Sequence, residues 1–551
     1  MKLIKTCTLL ILFFSAVVSA QDPDSLFNYF IGNNSIEGEI AVGDRNESVD
    51  GKKPSLLTTE NLIRYNFNQF SGAQQALLKG MLTRLELHKS VVSPSGFFRI
   101  HYDTSGVHKP AYSIDDLTKI LDDVYAYEIT ELGYPAPPTD GEKGGDSKYD
   151  IYIRKNTANW GVTHIENKVG DNTWTSYMEL DNDFSDKRVT GLDAVRITCA
   201  HEFHHAIQVG NFTFSPSDVW YHEITSTSME EFMYDDVNDY YFEIHHYMNG
   251  LSVSLPSSPK NGYDTTIWNL YLKKKFGIGI IKEIWFAMRE NRAINAIAVV
   301  LLSKGSNFKK EFEEFSTWLY FTGSRAKEGK YFEEAASYPL LKPANEFKFT
   351  EENYSKEMLY LTKPVSNNFI TYIDSSVTPK NEITVKITNS DYSSTVSGYE
   401  TFPVTFTFTK GDDDGEKIIK DYYYKLQIND GNQYIGTEFF FNGNLASEGV
   451  DPADNDLAEF VFPQPYKPAK HGSLFFTTQN NDQNYAKLYI FSITMELLYS
   501  GELDLQENGK YPIVRWDGKT DSGKRLSSGV YIYVVDSNGK LTKGKFAVLN
   551  E

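Results

Sequence analysis

A chain of 551 residues is too long for one ordinary core, which predicts two to four domains. Hydrophobic residues at 40% and aromatics at 14%, with 36 Tyr and 36 Phe, exclude a largely disordered chain and favour β-rich, well-packed domains. A formal net charge of −20 disfavours nucleic acid and anionic lipid as partners.

The first twenty residues read as a signal peptide. Lys2 and Lys5 give a positive start, Leu9 to Val18 an apolar run, and Val18-Ser19-Ala20 a small-residue cleavage site. The run is short for a bilayer span, and no later stretch is long enough, so the mature chain is expected to be secreted or held at the cell surface. Of the two cysteines, Cys7 leaves with the signal and Cys199 stays, so no intramolecular disulfide is expected and a bacterial export route fits.

Residues 21–95 are polar, with a helix-like stretch from Gln74 to His88, and read as an N-terminal extension or propeptide. From there the pattern changes. Phe97 to Tyr102 and Tyr149 to Ile153 read as strands, separated by a helix near Ile114 to Leu132 and the Pro- and Gly-rich loop Gly133 to Gly145. Ser176 to Leu180 reads as another strand, proposed as an exposed edge at Tyr177 onto which a peptide could add. Helices dominate from Leu192 to Tyr320, giving an α+β domain at 96–342. Beyond Leu341, short Thr-, Val-, Phe- and Tyr-rich segments alternate with Asn, Asp and Gly turns. That pattern predicts two all-β sandwich modules, at 345–458 and 460–551, divided near Pro463-Gln464-Pro465, with Asp412-Asp413-Asp414-Gly415 as a surface turn.

Within the helical stretch, His201-Glu202-Phe203-His204-His205 satisfies H-E-x-x-H. Two His four residues apart on a helix lie one turn above each other, so both imidazoles can reach one metal. Glu202 beside them is placed to take a proton from metal-bound water. Leu192 to Val209 reads as the helix, with Thr190 and Asp193 as a capping box and Gly210 as the stop. Leu192, Val195, Cys199, Phe203 and Ala206 fall on one face, and His201 and His205 on a nearly opposite one. The bland alternative is a pair of core or surface histidines with no metal.

A zinc site needs a third protein ligand and an open position for water. Gln208 and Asn211 stand where a metzincin would carry Gly and His, which excludes that class. A gluzincin takes a Glu from the following helix, and Glu223, eighteen residues beyond His205, fits a helix–loop–helix; Ser226 and Thr227 permit close helix contact. Its rivals are His222, Glu230 and Glu231. Tyr263 is a candidate donor to the oxyanion. Asp181-Asn182-Asp183 and Asp235-Asp236 are candidate structural calcium positions without diagnostic spacing.

Thr198 to Gln208, followed by Trp220, Glu223 and Met229-Glu230-Glu231, resembles a group of secreted bacterial metalloproteases assigned to the gluzincin, or peptidase MA, clan. Asp235 to Tyr240 and Gly133 to Pro138 are similar to that group too. The resemblance covers about 95–340 and implies a zincin-like fold, zinc at His201, His205 and Glu223, and Glu202 as general base. This chain departs from the group in the polar tone of Ile224 to Ser228. Separately, Trp516 to Gly523 and Ser527 to Tyr533, with Val530, Ile532 and Val534 alternating with tyrosines, resemble Ig-like modules related to the flagellar hook-cap protein. Similar modules end many proteins exported by type IX secretion, which implies a sorting or surface-retention role; a passive stabilising sandwich is the alternative.

The expected function is an exported zinc metallopeptidase acting on protein or peptide substrates. Alternatives are a surface adhesion or binding protein with a non-catalytic scaffold, or a zinc hydrolase of non-peptide substrates.

Overall fold

In the computed structural model the described residues are 22–35, 56–155, 159–258, 260–349, 354–375, 381–393, 402–411, 423–429, 435–442, 461–462, 466–469, 472–478, 484–506 and 512–550. The signal-peptide reading of residues 1–20, the turn at Asp412 to Gly415 and the boundary at Pro463 to Pro465 lie outside them.

Helices α1 (Pro23–Ser35), α2 (Thr59–Tyr65) and α3 (Gly72–Met81) precede the first sheet. Ser71 and Gln74 form a reciprocal capping box that starts α3. The helix expected through His88 stops at Met81, because Arg84 turns inward to pair with Asp140, Asp150 and Glu166.

The first sheet contains β1 (Lys89–Val92), β2 (Phe98–Tyr102), β3 (Tyr149–Arg154), β4 (Gly161–Lys168) and β5 (Trp174–Asp181), in spatial order β1-β2-β3-β5-β4. β2, β3 and β5 are parallel neighbours, while β4 runs antiparallel at one edge. Two expectations are corrected here. The Tyr177 strand is no edge: β5 lies between β3 and β4 and is buried along its whole length, and the edge is β4, which sequence reading overlooked. The domain boundary expected at 95/96 cuts the β1–β2 hairpin, so residues 89–92 belong to the sheet.

Helix α4 (Ile114–Tyr125) follows β2. Ser113 caps it by accepting from the Asp116 amide, Asp115 and Asp116 complement its positive end, and Leu117, Leu121 and Val124 pack inward. A π-helical turn, Ala126–Glu131, continues it and brings Glu128 into the interior. After β5 come α5 (Gly191–Asn211), α6 (Val219–Met233), α7 (Tyr240–Asn249), α8 (Ile267–Phe276), α9 (Gly279–Ala287), α10 (Ala293–Ser303) and α11 (Phe308–Tyr320). One core runs from the sheet through these helices, with Trp268, Trp285, Phe312 and Phe315 at its centre.

The next region holds β6 (Asn345–Phe349), β7 (Tyr354–Thr362), β8 (Ser366–Asp374), β9 (Asn381–Asn389), β10 (Phe402–Gly411), β11 (Tyr423–Asn429) and β12 (Ile435–Asn442). They form a sheet β12-β9-β8-β6 and a second sheet β11-β10-β7. This region shares the helical core: Val365, Phe369 and Phe440 belong to it, and Phe440 stacks on Tyr320 at 3.9 Å. Lys386 joins Glu438 at 2.5 Å and Thr317 of α11 at 2.7 Å.

The last region contains β13 (Val461–Phe462), β14 (Leu474–Thr477), β15 (Tyr485–Ser492), β16 (Leu497–Gln506), β17 (Ile513–Trp516), β18 (Gly529–Ser537) and β19 (Lys540–Val548). Where two stacked sheets were expected, the strands form one, ordered β13-β14-β17-β16-β15-β18-β19. It curls: Tyr466, just past β13, bridges to Val548 of β19 at the other end of the strand order. Its own core includes Phe476, Trp516, Tyr533 and Phe546. In β18 the tyrosines face inward, while Val530 is exposed. Gly518, in the Asp-Gly turn, has φ +78°, and a Cβ there would meet the Tyr466 hydroxyl at 2.6 Å. Among the described residues no helix is long and apolar enough to cross a membrane.

Candidate metal centre

Helix α5 carries the H-E-x-x-H residues and is buried on all sides from Ala194 to Gly210 except at Arg196. Its expected capping box does not form. Gly191 enters at φ +66°, Thr190 makes no side-chain cap, and Asp193 pairs instead with Arg196 at 2.8 Å. Leu192, expected on the buried face, is exposed, whereas Val195, Cys199, Phe203 and Ala206 are fully buried. Gly210 does not stop the helix, which continues to Asn211. A Cβ at Gly210 would lie 2.4 Å from the Pro138 ring, so glycine serves the close approach of the 133–145 loop.

A loop and a 3₁₀ turn (Pro216–Asp218) lead into α6, which packs along α5; Ser226 meets Gln208 and His205 there, and Thr227 beside it is fully buried. The packing aims Glu223 between the two histidines. Its Oε2 lies 3.3 Å from His201 Nε2 and 3.3 Å from His205 Nε2, and one ligand atom from each of the three residues falls within 4.8 Å of the others.

The rivals take other places. Glu230 accepts at His201 Nδ1, at 2.7 Å, and so orients that ring from behind. His222 Nδ1 meets Gln208 Oε1 at 2.9 Å, and burial pushes its pKa down to about 3, leaving it neutral. Glu231 groups with Asp235 and Glu334, away from the histidines, and burial beside those carboxylates raises it to about 9. Gln208 is a hub that sequence reading treated only as a departure from the metzincin pattern. Its Oε1 meets His205 Nδ1 at 2.9 Å, and its amide nitrogen donates to the His222 carbonyl and the Ser226 hydroxyl.

Glu202 points toward β4. The Thr163 hydroxyl lies 2.7 Å from its Oε2 and 2.8 Å from its backbone oxygen. A Cβ at Gly161 would sit 2.8 Å from Glu202 Cγ, so glycine lets the edge strand approach the helix. Burial raises the Glu202 carboxyl, opposed by His201, His205 and the Thr163 hydroxyl. Burial also works against charge on His201, yet Glu223 and Glu230 hold its pKa up at about 9. Glu223 is likewise penalised by burial, but the two histidines hold it well below the usual carboxylate range.

Tyr263 sits in a 3₁₀ turn (Tyr263–Thr265) just before α8. Its ring stacks on His201 at 5.5 Å, and its hydroxyl lies 3.4 Å from His201 Nε2, on the side where Glu223 converges. Gly262 makes this possible: it adopts φ +111°, and a Cβ there would lie 2.0 Å from the Trp220 carbonyl.

The donor set suits zinc. Two imidazole Nε2 atoms and one carboxylate oxygen converge, and His205 Nε2 and Glu223 Oε2 are buried without a well-formed hydrogen bond. The other ring nitrogens are held by Glu230 and by Gln208 with Ser226, the arrangement that fixes a metal-binding tautomer. On a flank of α5 adjoining the two histidines, His204 bonds Glu128 at 2.6 Å; burial lowers the first and raises the second, so both are neutral there. Cys199 is buried in the apolar core on the side of α5 away from His201 and His205, and burial pushes its thiol pKa up.

Of the calcium candidates at Asp181-Asn182-Asp183, Asp181 and Asp183 group with Asp186, which sequence reading did not include, while the Asn182 amide turns to the Val107 and Lys109 carbonyls and Lys155 sits on Asp183 at 2.9 Å. Asp235 and Asp236 diverge, the latter pairing with Arg196 at 2.8 Å.

A family profile described as "Family of unknown function (DUF6055)" matches residues 103–319, which include α5, α6 and Tyr263. No curated protein matches. Among solved structures, the chain is similar to PorZ, a surface component of the type IX secretion system of Porphyromonas gingivalis. The identity is 11% and the TM-score 0.14, over 34% of this chain and 39% of that one. It is also similar to dimeric latent PorU from the same organism, with 14% identity and a TM-score of 0.14, over 35% of this chain and 20% of that one. The chain thus spans well under half of either structure.

Proposed function

We propose that this chain is an exported zinc-dependent peptidase of the gluzincin type, with His201, His205 and Glu223 as metal ligands and Glu202 as general base. The observation that carries the reading is the convergence of those three ligand atoms within 4.8 Å, on two helices, with Glu202 beside them. Zinc held there would supply a Lewis acid and lower the pKa of a bound water.

The protein's own groups supply the rest. Glu202, raised by burial, accepts the proton of the attacking water at its carboxylate and returns it to the leaving amine. Thr163 holds that carboxylate in place. The Tyr263 hydroxyl, kept protonated by burial, donates to the oxyanion of the scissile carbonyl. Glu230 and Gln208 fix the histidine rings.

A zincin-like fold for this region is part of the same reading, supported by α5, α6 and the antiparallel edge strand β4 that faces Glu202. Export rests on the signal-like residues 1–20, and surface sorting or retention on the turn and strand pattern of residues 516–533.

Bound metal and casein turnover, measured on the full mature chain and on Glu202→Gln, test the reading. One zinc in both is expected, with whatever turnover the parent shows lost in Glu202→Gln; absence of zinc from both would overturn it.

A further inference from the structure

Every group of the proposed centre is out of solvent: His201 is 3% exposed, Glu202 2%, His205 1%, Glu223 0% and Tyr263 5%. A peptidase acting on polypeptides must admit a chain to these atoms, so something covers them. The segment around α2 reaches both Glu223 and the edge of β4.

Its contacts are those a bound peptide would make. The Leu56 backbone amide donates to Glu223 Oε1 at 2.6 Å, the oxygen turned away from the histidines. The Leu56 side chain, 2% exposed, fills an apolar recess of Ile165, Trp174, Val209 and Phe214, drawn from β4, β5, α5 and the loop after it. Asn61 then engages β4. Its side-chain oxygen accepts from the Ile165 amide at 3.0 Å, and its nitrogen donates to the Thr163 carbonyl at 2.8 Å. Thr163 and Ile165 are two residues apart and so present their backbone groups on the same side of the strand. One side-chain amide thus does on the outer edge of β4 what the N–H and C=O of a single residue in an added strand do. The same nitrogen also reaches the Leu56 carbonyl at 2.8 Å, tying the two anchors together.

We propose that residues 56–66 are an intramolecular occupant of the substrate cleft, with Leu56 in the pocket that otherwise takes an aliphatic side chain of a peptide substrate. The inference rests on the peptidase reading for its functional meaning, but its structural content can be tested without zinc or turnover. The segment closes the centre, and its displacement opens the edge of β4, the apolar recess and Glu223 together. Peptides with leucine or a similar aliphatic residue beside the scissile bond are the substrate class that recess selects.

The test uses the full chain, as parent, Leu56→Ser and Asn61→Ala. In metal-free protein, diethylpyrocarbonate modification is followed residue by residue by mass spectrometry. His88, whose side chain is 88% exposed, is the reference for free reactivity, and His204, fully buried against Glu128 rather than against the 56–66 segment, reports unfolding. The parent should protect His201 and His205, and each variant should raise their modification at least about tenfold with His204 still protected. A synthetic peptide of residues 56–66 added to Leu56→Ser should restore protection. His201 and His205 reacting in the parent at the His88 rate, or staying protected in both variants, would overturn the proposal. With zinc restored, cleavage of a quenched leucine peptide over its glycine counterpart, faster in the variants, would support it in full. Opening without any cleavage would uphold the occupant and sink the peptidase reading instead.

Discussion

Two buried polar clusters lie on opposite sides of β4, and they are built to different rules. Beside α2, charges alternate: Arg64 meets Glu60 at 2.6 Å, His164 lies 3.4 Å from Glu60 and 3.3 Å from Glu179, and Arg154 meets Glu179 at 3.1 Å. Nearby, Arg84 gathers Asp140, Asp150 and Glu166 while lying over the Tyr177 ring. Between α5 and α6 the balance fails. Glu202 and Glu223 are both buried, and among the described residues the basic side chains that meet Glu223 Oε2 within 4 Å are two imidazoles, with no Lys or Arg beside them. A cluster that closes its own charges is a fastener; one that leaves lone pairs converging is a place for a cation.

Metal addition should separate the two most sharply. Zinc at a thousandfold over its Kd should stabilise the chain by about 4 kcal/mol. His205→Ala or Glu223→Ala should abolish that gain, read as the zinc-dependent rise in the first thermal transition; an equal rise in both variants would place the metal elsewhere. The α2-side cluster should ignore zinc and respond to loss of a partner. Arg84→Ala leaves three buried carboxylates short of a cation and should cost about 3–5 kcal/mol in denaturant unfolding, with zinc stoichiometry unchanged. His101 on Asp150 at 2.8 Å and Lys143 on Glu166 at 3.1 Å soften the loss. A smaller effect is expected just behind the ligands of the proposed metal centre. Glu230→Gln keeps the shape behind His201 but weakens the acceptor, and should lower zinc affinity by about 10- to 100-fold in competition with a chelating dye. Unchanged affinity would reduce Glu230 to packing.

The contrast also marks what sequence can and cannot disclose. The helix bearing His201 and His205, its partner helix and Glu223 were legible because i, i+4 spacing and a second helix within reach are local facts. Fine detail at the ends of α5 was not: Thr190 fails to cap because Gly191 turns left-handed, and Gly210 answers to Pro138, far away in the chain. Strand β4 was missed because its core-facing and edge-facing residues are both buried from Gly161 to Ile165, which erases the alternation that signals a strand. Gln208, Thr163 and Asn61 could not be singled out, since their roles are contacts with residues 14, 39 and 102 positions away. Only a faint cue existed for Gln208, one helical turn beyond His205. The curled C-terminal sheet was legible as strands but not as one sheet, because among the described residues its ends meet through Tyr466, whose partners Ala547, Val548 and Leu549 lie some eighty positions away.

The finest distinction between the clusters is their pH dependence. Burial opposes charge on His164, but Glu60 and Glu179 raise its pKa from 6.5 to about 9; Arg64 stands behind Glu60, Arg154 behind Glu179, and the Tyr177 ring stacks on the imidazole at 4.8 Å. A group raised on folding gives its full stabilisation below the unfolded pKa and loses it as pH climbs through the folded one. The hold of α2 on β4 should therefore weaken between about pH 6.5 and 9, by at most about tenfold in opening equilibrium per pH unit, since one proton is involved. Glu60 works in the opposite sense. Burial disfavours its charge, but His164 and Arg64 hold its pKa far below 4.5, so its contribution is present above 4.5 and lost as pH falls below that value. Hydrogen exchange at the Leu62 to Tyr65 amides, corrected for intrinsic rate, should show protection falling on both sides of neutrality. In His164→Gln the alkaline fall should vanish while the acid one persists. An alkaline fall of equal slope in that variant would move the titration to another group and leave the α2 fastener without its imidazolium.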